Sequence, residues 1–120
     1  MRHASACCQG EVVCVRLAHV NLCRFLAEER REFVLSRQLL RSGTAIGALV
    51  REAEQAESRA DFVHKMSIAL KEANETQYWI DLLHHSDYID SHGFTSIQTD
   101  NTELLKLLTA IVKTTKARRP

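Results

Sequence analysis

The chain is 120 residues long, 45% hydrophobic and 26% charged, with a formal net charge of +1. Those figures suit one globular domain of ordinary composition. They exclude a strongly basic or acidic protein steered to its partner by an overall field.

The first ten residues lack the apolar core of a secretory leader, and no apolar run approaches the roughly 18 residues of a membrane span. Residues 1–10 are expected to be a flexible tail, residues 11–120 a single domain, and the location cytoplasmic. Helix one is expected over about residues 11–28. Val15, Ala18, Leu22 and Phe25 form its apolar stripe, widened by Val13, Leu17 and Val20. The charged run from Glu28 to Glu32 ends it. Helix two is expected over about 33–56, where Leu35, Leu39, Ser42, Ile46, Leu49 and Ala53 alternate in steps of 4 and 3, a heptad seam. Ser58 and Asp61 form a start signal for helix three, Ser58 as cap and Asp61 reaching back. Its seam follows Phe62, Met66, Ala69, Ala73, Thr76, Ile80 and Leu83 to an end near Tyr88. Ser91 to Gly93 reads as a break, with Phe94 and Ile97 tucking residues 90–99 against the rest. Asp100 to Glu103 then reads as the cap of helix four, which carries Leu104, Leu108 and Ile111, with Leu105 and Val112 beside them. Lys113, Lys116, Arg118 and Arg119 suit the negative end of that helix dipole. Four amphipathic helices with short connections predict an all-α, antiparallel up-down four-helix bundle.

Few residue patterns point to chemistry. Cys7, Cys8, Cys14 and Cys23 all fall in the first fifth of the chain, unlike a disulfide framework. They read as free thiols, two of them packing as small apolar residues on helix one. The sharper reading is a zinc site using His19 and Cys23, one helical turn apart. A bundle di-metal site needs a Glu-x-x-His motif on each of two helices. The chain has none, and its Asp61/His64 and Asp81/His84 pairs share helix three. His84, His85, Asp87, Asp90 and His92 crowd the end of that helix, where histidines suit the dipole and could also gather a metal. No metal, cofactor or small-molecule substrate is assigned. Catalysis by Lys71, Glu72 or Glu75 is the lesser reading of a charged helix face.

Gly43 and Gly47 each cost about 1 kcal/mol relative to alanine inside a helix, so something compensates. Close packing within the bundle and a flat seam for a neighbouring subunit are both open. Arg41, Glu52, Lys71, Glu72 and Glu75 flank the seams of helices two and three, where long side chains can pair across helices or subunits. Tyr78 and Trp79 read as core or interface anchors. Arg30, Arg31, Arg37 and Arg41 cluster near the start of helix two and are the candidate phosphate contacts. The plainer alternative is a set of solvated arginines balanced by fifteen acids.

The runs QLLRSGTAIGA over 38–48, REA over 51–53, ESRADF over 57–62 and IALKEANET over 68–76, followed by Tyr78 and Trp79, resemble one bacterial family. Its members are four-helix bundles encoded in intervening sequences of 23S ribosomal RNA genes. The resemblance runs from about Arg24 to Lys116; the first ten residues do not share it. Ala45 stands where the family often has Ser, and Leu49-Val50 where it often has Asn-Ile. The resemblance implies an up-down bundle assembled as a homopentamer, with no enzymatic activity. It also brings in a distant relative, the accessory variability determinant of diversity-generating retroelements, which binds nucleic acid and a reverse transcriptase. Gln38, Arg41, Glu52, Lys71, Glu72 and Glu75 become structural or interface positions on this reading, alongside Gly43, Gly47 and Trp79. The expected function is a non-enzymatic oligomeric module binding RNA, DNA or a nucleic-acid-processing partner. The alternative is a bundle that binds only protein; a metal-dependent enzyme is a remote third.

Overall fold

The computed structural model describes residues 17–117, and every regular element among them is a helix. Helix α1 covers residues 17–29, α2 Val34–Glu54, α3 Arg59–His85 and α4 Ser91–Ala117. They form the all-α four-helix bundle that the periodicity predicts. The 1–10 segment and the helix-one positions Val13 and Val15 lie outside the described residues.

Local chemistry sets each boundary. Arg31 adopts φ 54° and turns the chain between α1 and α2. The buried Glu32 carboxylate then accepts from the amides of Val34, Leu35 and Ser36 at 3.2, 3.1 and 2.8 Å. Amides at a helix start have no partner within the helix, so this one side chain satisfies three of them. At the start of α3, Ser58 Oγ accepts from the Asp61 amide at 3.0 Å, as the sequence signal requires. The helix ends with Asp87 at φ 64°. The Tyr88 amide reaches back to the Leu83 carbonyl at 2.9 Å and the Asp87 amide to that of His84 at 3.1 Å, a Schellman closure.

Helix α4 departs from the sequence reading. It starts at Ser91, nine residues before the expected cap at Asp100, and the supposed break lies in its first turn. Asp90 is the reason. Its carboxylate accepts from the Gly93 amide at 2.7 Å, and its carbonyl takes the Phe94 amide at 2.9 Å. A glycine in a capped first turn weakens a helix little, so the Asp90 cap outweighs it. Asp90→Ala should cost about 1 kcal/mol of stability in urea denaturation, the usual value of a lost N-cap. An unchanged midpoint would remove this account of where α4 begins.

Two apolar clusters fill the bundle. One joins Ile46, Val50 and Ala53 of α2 to Phe62, Met66, Ala69 and Ala73 of α3 and Leu104, Leu108 and Val112 of α4. The other joins Cys23 and Leu26 of α1 to Leu39, Ile80, Leu83, Ile89 and Ile97. Every expected α3 seam residue is buried. In α2 and α4, Val50 and Val112 are buried, while the expected seam residues Leu49 and Ile111 are half-buried beside them. Helix α1 is rolled furthest from expectation. His19, Cys23 and Leu26 face inward, Ala18 and Leu22 are half-buried, and Leu17 and Phe25 are exposed. A stripe count favours Phe25 because it ignores histidine and cysteine, which this core accepts.

Between the two clusters lies a buried polar layer. Ser42 and Thr76 are fully enclosed, their hydroxyl oxygens 2.8 Å apart. Thr76 Oγ1 is also 2.8 Å from the Glu72 carbonyl, which can only accept. Each hydroxyl has one proton, so either Thr76 donates to Ser42 and Ser42 to the Leu39 carbonyl, or Ser42 donates to Thr76 and Thr76 to the Glu72 carbonyl. Asn101 of α4 donates to the Ala73 carbonyl at 3.3 Å and to Gln77 Oε1 at 3.0 Å. Asn101, expected to lie within the cap of helix four, is instead at the centre of the fold.

Candidate interaction surface

The α2–α3 face gathers five of the side chains that the sequence singled out. The Arg41 guanidinium bonds Glu75, lies 3.5 Å from Glu72, and its Nε reaches Gln38 Oε1 at 3.4 Å. The same Glu75 oxygen accepts the Trp79 indole N–H at 3.0 Å. Helical spacing explains the convergence: Gln38 and Arg41 share one edge of α2, while Glu72, Glu75 and Trp79 share the facing edge of α3. The Trp79 hydrogen bond first, and Arg41 second, hold the Glu75 carboxyl below its ordinary pKa. Half-exposed ion pairs of this kind contribute roughly 0–1 kcal/mol. The network orients side chains more than it stabilises the fold. Tyr78, exposed beside it, meets the Trp79 ring edge-on at 5.0 Å. Glu52 and Lys71 are both exposed and stand outside this network.

Gly43 has an internal job. A Cβ built there would lie 2.5 Å from His19 Nδ1 and 3.1 Å from its Cγ. The missing side chain is the notch into which the α1 histidine packs, so close packing within the bundle explains this glycine. Gly47 follows one turn later and is half-buried.

The four candidate arginines do not make one patch. Arg30 donates to the Asp87 carbonyl at 2.7 Å and lies 5.8 Å from the Tyr88 ring centroid, clamping the α1–α2 turn to the α3–α4 turn. Arg41 is held by Glu72 and Glu75. Arg31 and Arg37 are exposed, with no carboxylate in ion-pair range among the described residues. Arg24, which the sequence reading passed over, joins them. The Cys23 thiol bonds the Ser36 carbonyl at 3.2 Å, which sets Arg24 of α1 level with Arg37 of α2. That register was invisible without the α1–α2 pairing. Glu28 and Glu29, exposed at the end of α1, keep the area from becoming a broad basic field. Lys113 and Lys116 lie at the far end of the bundle from the α1–α2 turn.

Metal-binding side chains are dispersed. Among the described residues, no three of His, Cys, Asp and Glu converge to hold an ion. His84 stacks on Phe94 at 4.0 Å, His85 Nδ1 lies 2.7 Å from the Asp81 carbonyl, and Asp90 caps α4. His19 and Cys23 both point inward, and burial keeps His19 a neutral imidazole, but it also holds the Cys23 proton in place. The Cys23 thiol is pushed up to about 11, by burial first and by nearby Glu32 second, so it is an inert thiol and not a thiolate ligand. Cys7, Cys8 and Cys14 lie outside the described residues. A groove of about 280 Å³ runs between α1 and the start of α4, with Ala18, Leu22, Ile89 and Ile97 as floor and His92, Ser96 and Asp100 along one rim. No described helix is long and apolar enough to cross a membrane.

The fold and this surface define a small helical bundle with a cross-helix polar network on its α2–α3 face. The chain belongs to the 23S rRNA-intervening sequence protein family, whose model matches residues 14–110. It is similar to a crystal structure from Bacteroides thetaiotaomicron VPI-5482, described as a protein of unknown function from the S23 ribosomal protein family. The two are 51% identical, the match covers 92% of this chain and 98% of the other, and the TM-score is 0.90. No curated protein matches this chain.

Proposed function

We propose that this protein is a non-enzymatic, oligomeric bundle that engages nucleic acid or a nucleic-acid-processing partner through the outer α1–α2 face. The observation that carries this reading is the trio Arg24, Arg31 and Arg37, exposed and without a carboxylate in reach among the described residues. Arg24 and Arg37 sit at one level on adjacent helices, and two like charges so placed favour an anion between them. Arg30 and Arg41 support the face by fixing the turn and the α2–α3 edge. The intervening-sequence family assignment makes RNA the first ligand to try.

Assembly into a homopentamer is part of the same proposal. Leu17, Phe33, Val34, Leu40 and Tyr78 are large apolar side chains left exposed on the single chain. Large apolar side chains left in water are what a contact with a second copy would bury. Gln38, Glu52, Lys71 and the exposed edge of the Trp79 network are the polar groups assigned to the same contact. A purely protein-binding bundle is the alternative favoured by those apolar side chains.

Fluorescence polarisation with labelled RNA and DNA hairpins, between 50 and 200 mM salt, separates the two readings. The nucleic-acid reading expects affinity to fall steeply with salt. Arg31→Ala and Arg37→Ala should each weaken binding and flatten the log–log salt slope by about 1. Absent or salt-insensitive binding to both nucleic acids sinks it and leaves the protein-only bundle. Light scattering on a sizing column gives the oligomer mass independently.

A further inference from the structure

Each helix contributes one fully enclosed polar residue to the middle of the bundle: His19, Ser42, Thr76 and Asn101. Three of them have hydrogen-bond partners within or across helices. His19 has none among the described residues, for either ring nitrogen. It is also the only member of the layer that can take up a proton near neutral pH. Its ring packs against the bare Cα of Gly43, and its backbone belongs to α1, the first helix of the bundle.

We propose that α1 is a releasable arm of the bundle, latched by the neutral His19 imidazole in the Gly43 notch and unlatched when that imidazole is protonated. The chemistry is one proton taken from solvent. An imidazolium carries two N–H donors; neither ring nitrogen has an acceptor as seated, and the one open acceptor in the layer, Asn101 Oδ1, can serve at most one of them, so the charged ring is stable only when α1 swings it into water.

Among the described residues, no charged group inside the bundle competes for this role. On α2 the ring meets Gly43, beside Ser42; Arg41 is turned to the outer face, where Glu72 and Glu75 of α3 hold it. Asp100 of α4 is exposed along the α1–α4 groove, and Asn101 next to it carries no charge. On α1 itself, Cys23 stands one turn on, bonded to the Ser36 carbonyl, with Glu32 beyond it. Burial alone accounts for the fall of the His19 pKa from 6.5 to about 4.

The direction follows from linkage. The enclosed pKa lies below the free value, so the released state binds the proton more tightly. Release is therefore promoted as pH falls below about 6.5, and the effect levels off below about 4. The opening constant for α1 should rise about 30-fold between pH 8 and pH 5, towards a limit of about 300-fold.

Native-state hydrogen exchange on the full chain, corrected for intrinsic rates, tests the latch. Peptides within residues 17–29 should lose protection by about that factor on acidification, while peptides within Phe62–Leu83 keep theirs. His19→Leu should abolish the difference between the two pH values. If α1 and α3 lose protection together, or α1 protection is flat with pH, the latch is wrong. A second measurement does not depend on any variant folding: the His19 ring signal in the wild-type protein, followed by NMR. A midpoint near 4 supports the enclosed imidazole, and a midpoint of 6 or above overturns the proposal.

Discussion

Gly43→Ala lowers stability by about 2 kcal/mol, although helix propensity alone favours the alanine by about 1 kcal/mol. The two effects have opposite signs, so the direction of the change decides between them. In an isolated helix, alanine spends less backbone entropy and hides more of the main chain. In the bundle, its methyl would sit 2.5 Å from one ring atom of His19 and 3.3 Å from the histidine Cβ. The close approach to Cβ matters most. A ring tip can rotate away, but a Cβ moves only with its backbone, so α1 itself must shift away from α2 by a few tenths of an ångström. Overpacking of this kind costs roughly 1–3 kcal/mol, sometimes more. Urea denaturation of the single variant gives the sign. The double variant His19→Ala/Gly43→Ala identifies the cause, since a small residue at position 19 makes room. It should be at least about 1 kcal/mol more stable than the sum of the single changes implies. A stabilised Gly43→Ala protein would falsify the described seating of α1 on α2.

Leu26→Ala and Phe25→Ala, one residue apart, should differ severalfold. Leu26 is fully buried among Cys23, Leu39, Ile80 and Leu83. Truncating it removes apolar contact and leaves a cavity between three helices, a loss of about 3 kcal/mol. Phe25 is 43% exposed on the single chain, so its truncation should cost less than about 1 kcal/mol in dissociated protein. The measurement is chemical denaturation at several protein concentrations. If Phe25 packs on a second copy, its larger effect emerges only at concentrations where the chains associate. Equal losses at high dilution would restore the original stripe and refute the roll of α1.

The helices themselves were written in local chemistry. Residues at steps of 3 and 4 give α3 its whole inner seam, from Phe62 to Leu83, because a helix repeats its face on that spacing and α3 has apolar or small residues at every turn. Ser58 and Asp61 marked its start, since a hydroxyl and a carboxylate at that offset satisfy free amides. The same logic drew Gln38, Arg41, Glu72, Glu75 and Trp79 to neighbouring edges. Their partners could be foreseen in kind, though not in detail. Local logic failed where two signals competed. Ser91 to Gly93 looked like a break, and Asp90, just before it, was the cap that made it a beginning.

Other features had no local signature at all. The roll of α1 depends on what the other helices offer it: the Gly43 notch for His19, the Ser36 carbonyl for the Cys23 thiol, and the Leu39–Leu83 cluster for Leu26. Arg24 and Arg37 are thirteen residues apart in sequence. They become one face only through the antiparallel register of α1 and α2. Arg30 looked like a phosphate contact and proved to be a clamp on the Asp87 carbonyl across the bundle end. Contacts within a turn or two of chain were enough to fix four amphipathic helices and most of their ends. Which face of α1 is inside, which arginines remain unpaired, and why a histidine lies sealed against a glycine were settled by packing between helices. Those depend on residues brought together from different helices, and no periodicity along one helix records its neighbour.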